Sequence, residues 1–274
     1  MTDNLDDSKM PLLDHLVELR RRLLYAFAGF FVCFLVCFYF SAEIFNFLVA
    51  PLAHLWAHET GRRMIFTALH EKFITNVKVA FFAGAFLSFP IMATQLWIFV
   101  APGLYRGEKR AFLPFLIATP VLFFLGGAFV YYFVLPVAWQ FFAGFEQASS
   151  EGTLAIQLEP KVDQYLSLVM RMIFAFGISF ELPVLLTLLA TAGIATSAGM
   201  REKRRYAILI AFVAAAILTP PDPLSQIALA VPMIILYEIS ILCARLVERR
   251  RAAAENEDEQ ESSSASKVNP EADG

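Results

Sequence analysis

The sequence predicts an all-α, polytopic integral membrane protein with six transmembrane helices and both termini on the cytoplasmic side. Composition is the first reason: of 274 residues 58% are hydrophobic and 17% charged. Soluble domains carry roughly 25% charged residues. Uncharged apolar runs recur along the chain, several about 20 residues long, enough to cross a hydrocarbon core roughly 30 Å thick. Basic residues gather in alternate connections, which gives the orientation. A water-soluble globule is excluded, and nothing in the charge balance points to nucleic acid.

The first run, residues 23–42, follows Arg20, Arg21 and Arg22 and ends at Glu43. Residues 43–72 mix Pro51, Trp56, three His and five further charges, and read as a loop with a short interfacial helix, where Trp is at home. The second span covers 73–100, with Lys78 near one end able to snorkel. After a Gly-rich, charged break comes a third span, 111–136, punctuated by Pro114, Pro120 and Pro136. The loop up to Gln164 is acidic. A fourth span, 165–190, carries Arg171 and Glu181, and a basic loop follows it. The fifth span, 206–219, stops at Pro220-Pro221-Asp222-Pro223, and the sixth, 224–242, contains Pro232 and Glu238.

Three regions follow: a cytoplasmic segment 1–22, a transmembrane domain 23–245 and a charged tail 246–274, whose low apolar content predicts disorder. The acidic, charged N-terminus does not resemble a cleavable signal. Spans five and six are short. Fourteen residues at about 1.5 Å reach about 21 Å, less than the roughly 30 Å core. Thinned membrane is expected beside them, in a concave bundle.

No catalytic constellation is present. His15, His54, His58 and His70 lack a ligand spacing, no Gly-rich phosphate loop follows a strand, and no Ser sits in a nucleophile elbow. Cys33, Cys37 and Cys243 lie in apolar segments as packing residues. No enzyme, metal or cofactor is expected. Glu181 fits a passive bundle least, because a carboxylate near a helix centre costs on the order of 2.5–3.5 kcal/mol and must face protein or a hydrated cavity. Pro183 beside it loosens the helix. Glu181 is then either a polar feature of a substrate-facing concavity, a proton carrier, or a packing carboxyl bonded to Gln95 or Gln226. Glu18 and Glu108, on the basic side, can each accept a guanidinium, although Arg22 at i+4 is a ready helical partner for Glu18.

In order along the chain stand His15-Leu-x-Glu18-Leu19-Arg20-x-Arg22, Ala50-Pro51-Leu52, Gln95-x-Trp97-x-Phe99-x-Ala-Pro102-x-Leu104-Tyr105-x-x-Glu108, Phe176-Gly-x-Ser-Phe180-Glu181-x-Pro183, Arg204-Arg205-Tyr206 and Thr219-Pro-Pro-Asp222-x-x-Ser225-Gln226. These segments resemble the TatC family, the multispanning subunit of the twin-arginine protein translocase of the bacterial inner membrane. The resemblance implies a receptor for twin-arginine signal peptides of folded precursors, working with the single-span subunits TatA and TatB, driven by the protonmotive force. It leaves self-association open. By position it implies that Glu18 and Glu108 meet the two signal arginines, with Leu19, Arg20, Phe99 and Tyr105 in the same patch. It makes Glu181 the intramembrane acid of the concave face, and gives Pro51, Gln95, Asp222 and Gln226 structural or assembly roles. The competing class is an ion-coupled solute transporter with Glu181 as proton carrier. Such transporters often show internal repeats, and none is visible here.

Overall fold

A computed structural model describes residues 9–57, 61–104, 109–147, 154, 156–218 and 223–268. Its helices are α1 (Lys9–Tyr39), α2 (Ser41–Leu55), α3 (Glu71–Leu104), α4 (Lys109–Phe129), a π-helical turn (Val130–Val134), α5 (Leu135–Ala143), α6 (Val162–Phe180), α7 (Leu182–Thr191), α8 (Ser197–Glu202), α9 (Arg204–Leu218) and α10 (Pro223–Val268). Among the described residues five stretches are long and apolar enough to cross a membrane: His15–Tyr39, Glu71–Phe99, Pro114–Ala143, Val162–Thr191 and Gln226–Arg249. α9 has 15 residues, so it reaches only about 22 Å.

Two expectations change. The last apolar stretch is not short: it runs 24 residues, Gln226–Arg249, or about 36 Å. Ending the run at Leu242 confused the first charge with the helix end, for Arg245 and Glu248 continue the same helix. The tail, expected to lack structure, is helical as far as Val268. Ala252, Ala253 and Ala254 are strong helix formers.

α1 packs chiefly on α3. The two backbones approach closely at Gly84, where a Cβ would stand 2.7 Å from Phe34 Cα. Small residues are what allow membrane helices this close. α4 locks onto α6 in the same way: a Cβ on Gly126 would meet Phe176 O at 2.6 Å, and one on Gly177 would meet the Phe123 ring at 2.7 Å. Phe123 is fully buried and stacks on Phe89 with centroids 3.6 Å apart.

Proline shapes two spans. Pro136 has no N–H to give the preceding turn and its ring crowds a carbonyl there, and the turn before it widens into the π segment. Tyr131 in that segment donates to Phe47 O at 2.8 Å and stacks on the Phe47 ring, fixing α2 across the bundle. Pro183 interrupts the fourth long stretch, so α6 ends at Phe180 and α7 starts at Leu182, with Glu181 between them.

At the end opposite the start of α1, the connections are clasped together. Ile65 bridges Lys161, with Val162 N donating to Ile65 O at 2.9 Å. Arg62 makes two bonds of 2.5 Å to the Glu146 carboxylate, which also accepts from Leu158 N at 2.9 Å. The Arg62 guanidinium lies 5.3 Å from the Trp56 ring centroid. Lys78–Asp163 (2.6 Å), Lys161–Glu71 (3.7 Å) and Arg63–Glu159 (3.3 Å) add three ion pairs. At the other end the turn before α9 is tied to α10: Ser197 N and Oγ donate to Glu248, Tyr237 donates to Met200 O, and Arg204 pairs with Glu238.

Candidate functional site

The α1–α3 pair holds the described members of the sequence-predicted patch, Glu18, Leu19, Arg20 and Phe99, at its basic end. His15, Glu18 and Arg22 recur at i, i+3 and i+7 and share one face of α1. Gln95 and Phe99, at i and i+4, face them from α3. His15 stacks on Phe99 with ring centroids 4.3 Å apart at 15°. Arg22 Nη2 stands 3.3 Å from Glu18 Oε1, and its Nη1 donates to Gln95 Oε1 at 3.4 Å. Gln95 thus partners Arg22 and not Glu181.

Both bonds are long, and the Glu18 and Arg22 side chains remain 30% and 22% exposed. Helical i,i+4 pairs of this kind contribute only about 0.2–0.5 kcal/mol. Such a carboxylate is held in place yet is cheaply transferred to an external cation, and Gln95 keeps Arg22 from being stranded when that happens. Arg20 is exposed. Leu16, Leu19 and Leu23 are exposed at i, i+3 and i+7, so an uncovered apolar stripe runs beside the carboxylate. Chemically the patch can take an extended cationic segment followed by an apolar one. Tyr105, Glu108 and Asp222 lie outside the described residues.

Glu181 occupies the α6–α7 break. Trp97 Nε1 donates to Thr119 Oγ at 3.0 Å, and the Thr119 hydroxyl lies beside the Glu181 carboxyl. Oε1 of Glu181 is buried and has no hydrogen-bond partner among the described residues. Gln226, the other partner considered from sequence, donates instead to Phe212 O at 3.1 Å, joining α10 to α9. Pro51 lies within α2 and lines a cavity of about 470 Å³ with Phe47, His54 and Tyr132. Leu19 and Phe99 fall in the predicted patch. Sequence reading missed His15 and Arg22 as patch members although both stand in the first motif. It also missed Thr119, whose signal is a lone hydroxyl in an otherwise apolar stretch before Pro120.

Among the described residues no three His, Cys, Asp or Glu cluster as metal ligands. Glu146 at the clasped end is perturbed: the two Arg62 bonds, with the Leu158 amide, hold its carboxyl below the ordinary range.

The family profile "Sec-independent protein translocase protein (TatC)" matches residues 14–232. The Sec-independent protein translocase protein TatC of Magnetococcus marinus is 52% identical over 250 residues, 91% of this chain and 89% of that one. TatC of Escherichia coli K12 is 39% identical over 239 residues, covering 87% and 90%. A crystal structure of the twin arginine translocase receptor TatC superimposes with a TM-score of 0.74 at 36% identity, covering 85% of this chain and 99% of that one.

Proposed function

The chain belongs to the TatC family of Sec-independent protein translocase proteins, and from that premise we propose that it binds twin-arginine signal peptides at the basic end of α1 and α3. As a family member it is a multi-pass membrane component of a protein translocase.

In this reading the chain has six spans, α9 being the short fifth, and both termini are cytoplasmic. The support is charge: Arg20–Arg22, Arg106–Arg110, Arg201–Arg205 and Arg245–Arg251 then share one side, as basic residues next to spans do. Segment 1–22 and the tail from 246 lie on that side, flanking a transmembrane domain of 23–245. The observation that carries the site is Glu18, half-exposed, loosely paired and bordered by the apolar stripe Leu16, Leu19 and Leu23. One signal arginine takes Glu18 as a bidentate partner, as a planar guanidinium does and an ammonium does not. The second takes Glu108, which sequence position puts at the same end. The apolar part of the signal follows the stripe, with Leu19, Phe99 and Tyr105 beside it and Arg20 at its rim.

TatA and TatB complete the translocase, and the protonmotive force drives export of the folded precursor. Glu181 presents an intramembrane carboxyl for a passing or partner helix. Pro51, Gln95, Asp222 and Gln226 serve packing and assembly: Gln95 supports Arg22, and Gln226 holds α9 on α10.

Charge reversal tests the site. Glu18→Arg abolishes binding of an Arg-Arg signal peptide, measured by fluorescence anisotropy with protein in lipid nanodiscs, while membrane insertion is unchanged. Wild-type affinity in Glu18→Arg and Glu108→Arg alike removes arginine recognition from these carboxylates.

A further inference from the structure

Arg171 is an exposed cation on α6, nine residues and about 13.5 Å along the helix from Val162, inside an apolar stretch. It lines a cavity of about 790 Å³ that it shares with Glu159, Lys161 and Asp163. Those three neighbours are each engaged: Glu159 with Arg63, Lys161 with Glu71 and Asp163 with Lys78. Arg171 has no hydrogen-bond or ion-pair partner among the described residues. A guanidinium does not lose its proton in a protein, so among the described residues the cavity carries one positive charge without a counterpart. The remaining wall is largely apolar and includes Leu168 and Leu218.

Leu218 ends α9. That helix falls about 8 Å short of the hydrocarbon thickness, and a bilayer meeting a short helix thins toward its ends. Lipid phosphates beside α9 are therefore drawn to the level of Leu218, which is the level of Arg171. We propose that this cavity is a phospholipid site in which the Arg171 guanidinium holds the headgroup phosphate and the wall of Leu168 and Leu218 takes an acyl chain. Phosphate offers the paired oxygens a planar guanidinium fits, and lipid is the source already present at membrane depth.

The test is native mass spectrometry of the detergent-purified full chain titrated with phosphatidylglycerol, for wild type, Arg171→Ala, Arg171→Lys and Leu218→Trp. Wild type retains one tightly held lipid. Arg171→Ala weakens it about tenfold or more, Arg171→Lys weakens it less, and Leu218→Trp displaces it with the cation intact. The last two variants keep the test decisive if Arg171→Ala misfolds. Diacylglycerol, lacking phosphate, is not retained, and inorganic phosphate does not displace the bound lipid. Equal retention by the Arg171 variants refutes the site, and displacement by inorganic phosphate alone makes it a free-anion site instead. A photoreactive residue at position 171 that labels a single-span partner protein in native membranes, and not lipid, equally overturns the proposal.

Discussion

Replacing Gly84 with Ala drives α1 away from α3. The added Cβ would stand 2.7 Å from Phe34 Cα, 2.9 Å from Phe34 N and 3.1 Å from Phe34 Cβ. Carbon atoms rest about 3.5–4.0 Å apart, so the helices must separate by nearly an ångström along their most extensive contact. Two of the three obstructing atoms are backbone, which has no rotamer to yield. Overpacking of this kind costs about 1–3 kcal/mol. Gly29 lies in the same interface and supplies the control. Its Cβ would meet Ile91 Cγ2 at 2.9 Å, a side-chain atom that can move. Gly29→Ala is therefore milder, and Ile91→Ala restores it. The assay is thermal unfolding in detergent followed by size-exclusion retention, with signal-peptide affinity measured on the folded fraction. Gly84→Ala melts lowest of the three and, by widening the 4.3 Å His15–Phe99 stack, weakens peptide binding as well. Wild-type stability in Gly84→Ala, or a greater loss in Gly29→Ala, refutes the backbone-contact reasoning.

Three further outcomes are expected. The Glu146 carboxyl is lowered by Arg62 from an ordinary 4.5, so its stabilisation is fully present above that value and is lost as pH falls through the lower folded-state value. Protection of the Leu158 amide from hydrogen exchange, taken relative to its intrinsic rate at each pH, is accordingly constant from pH 7 to pH 5 and falls only in stronger acid, whereas Glu146→Gln is poorly protected throughout; a loss of protection between pH 7 and pH 5 in the wild type contradicts the clasp. Inserting four Leu after Ala216 lengthens α9 by about 6 Å and abolishes export in bilayers of ordinary thickness, with recovery in thicker ones; unchanged export removes any role for the short helix. Tyr131→Phe deprives Phe47 O of its 2.8 Å donor and costs about 1 kcal/mol, read as a lower melting temperature, and no change there shows the carbonyl is satisfied otherwise.

Local signals were legible and distant pairings were not. Apolar runs located the long stretches, and Pro183 announced the break at Glu181, because both effects act within a turn of the residues that cause them. The α1 motif likewise contained Glu18 and Arg22 at a helical spacing. Arg62 and Glu146 lie 84 residues apart, and several carboxylates in the acidic loop were equivalent candidates until the bridge of Ile65 to Lys161 fixed the register. Glu181 was matched with glutamines, the obvious polar residues, while the polar group beside it is Thr119, a hydroxyl that becomes relevant only when α4 packs beside α7. The length of α10 was hidden by Arg245 and Glu248, since charge marks where a run of hydrocarbon ends and not where a helix does.

The most direct test of the receptor reading is photocrosslinking of a twin-arginine signal peptide to the chain in membranes containing TatA and TatB, with the Lys-Lys peptide alongside. The account predicts labelling near Glu18 on α1 and at the end of α3 that requires Arg-Arg and disappears in Glu18→Arg. Equal labelling by the Lys-Lys peptide, or labelling that persists in Glu18→Arg and Glu108→Arg, contradicts it.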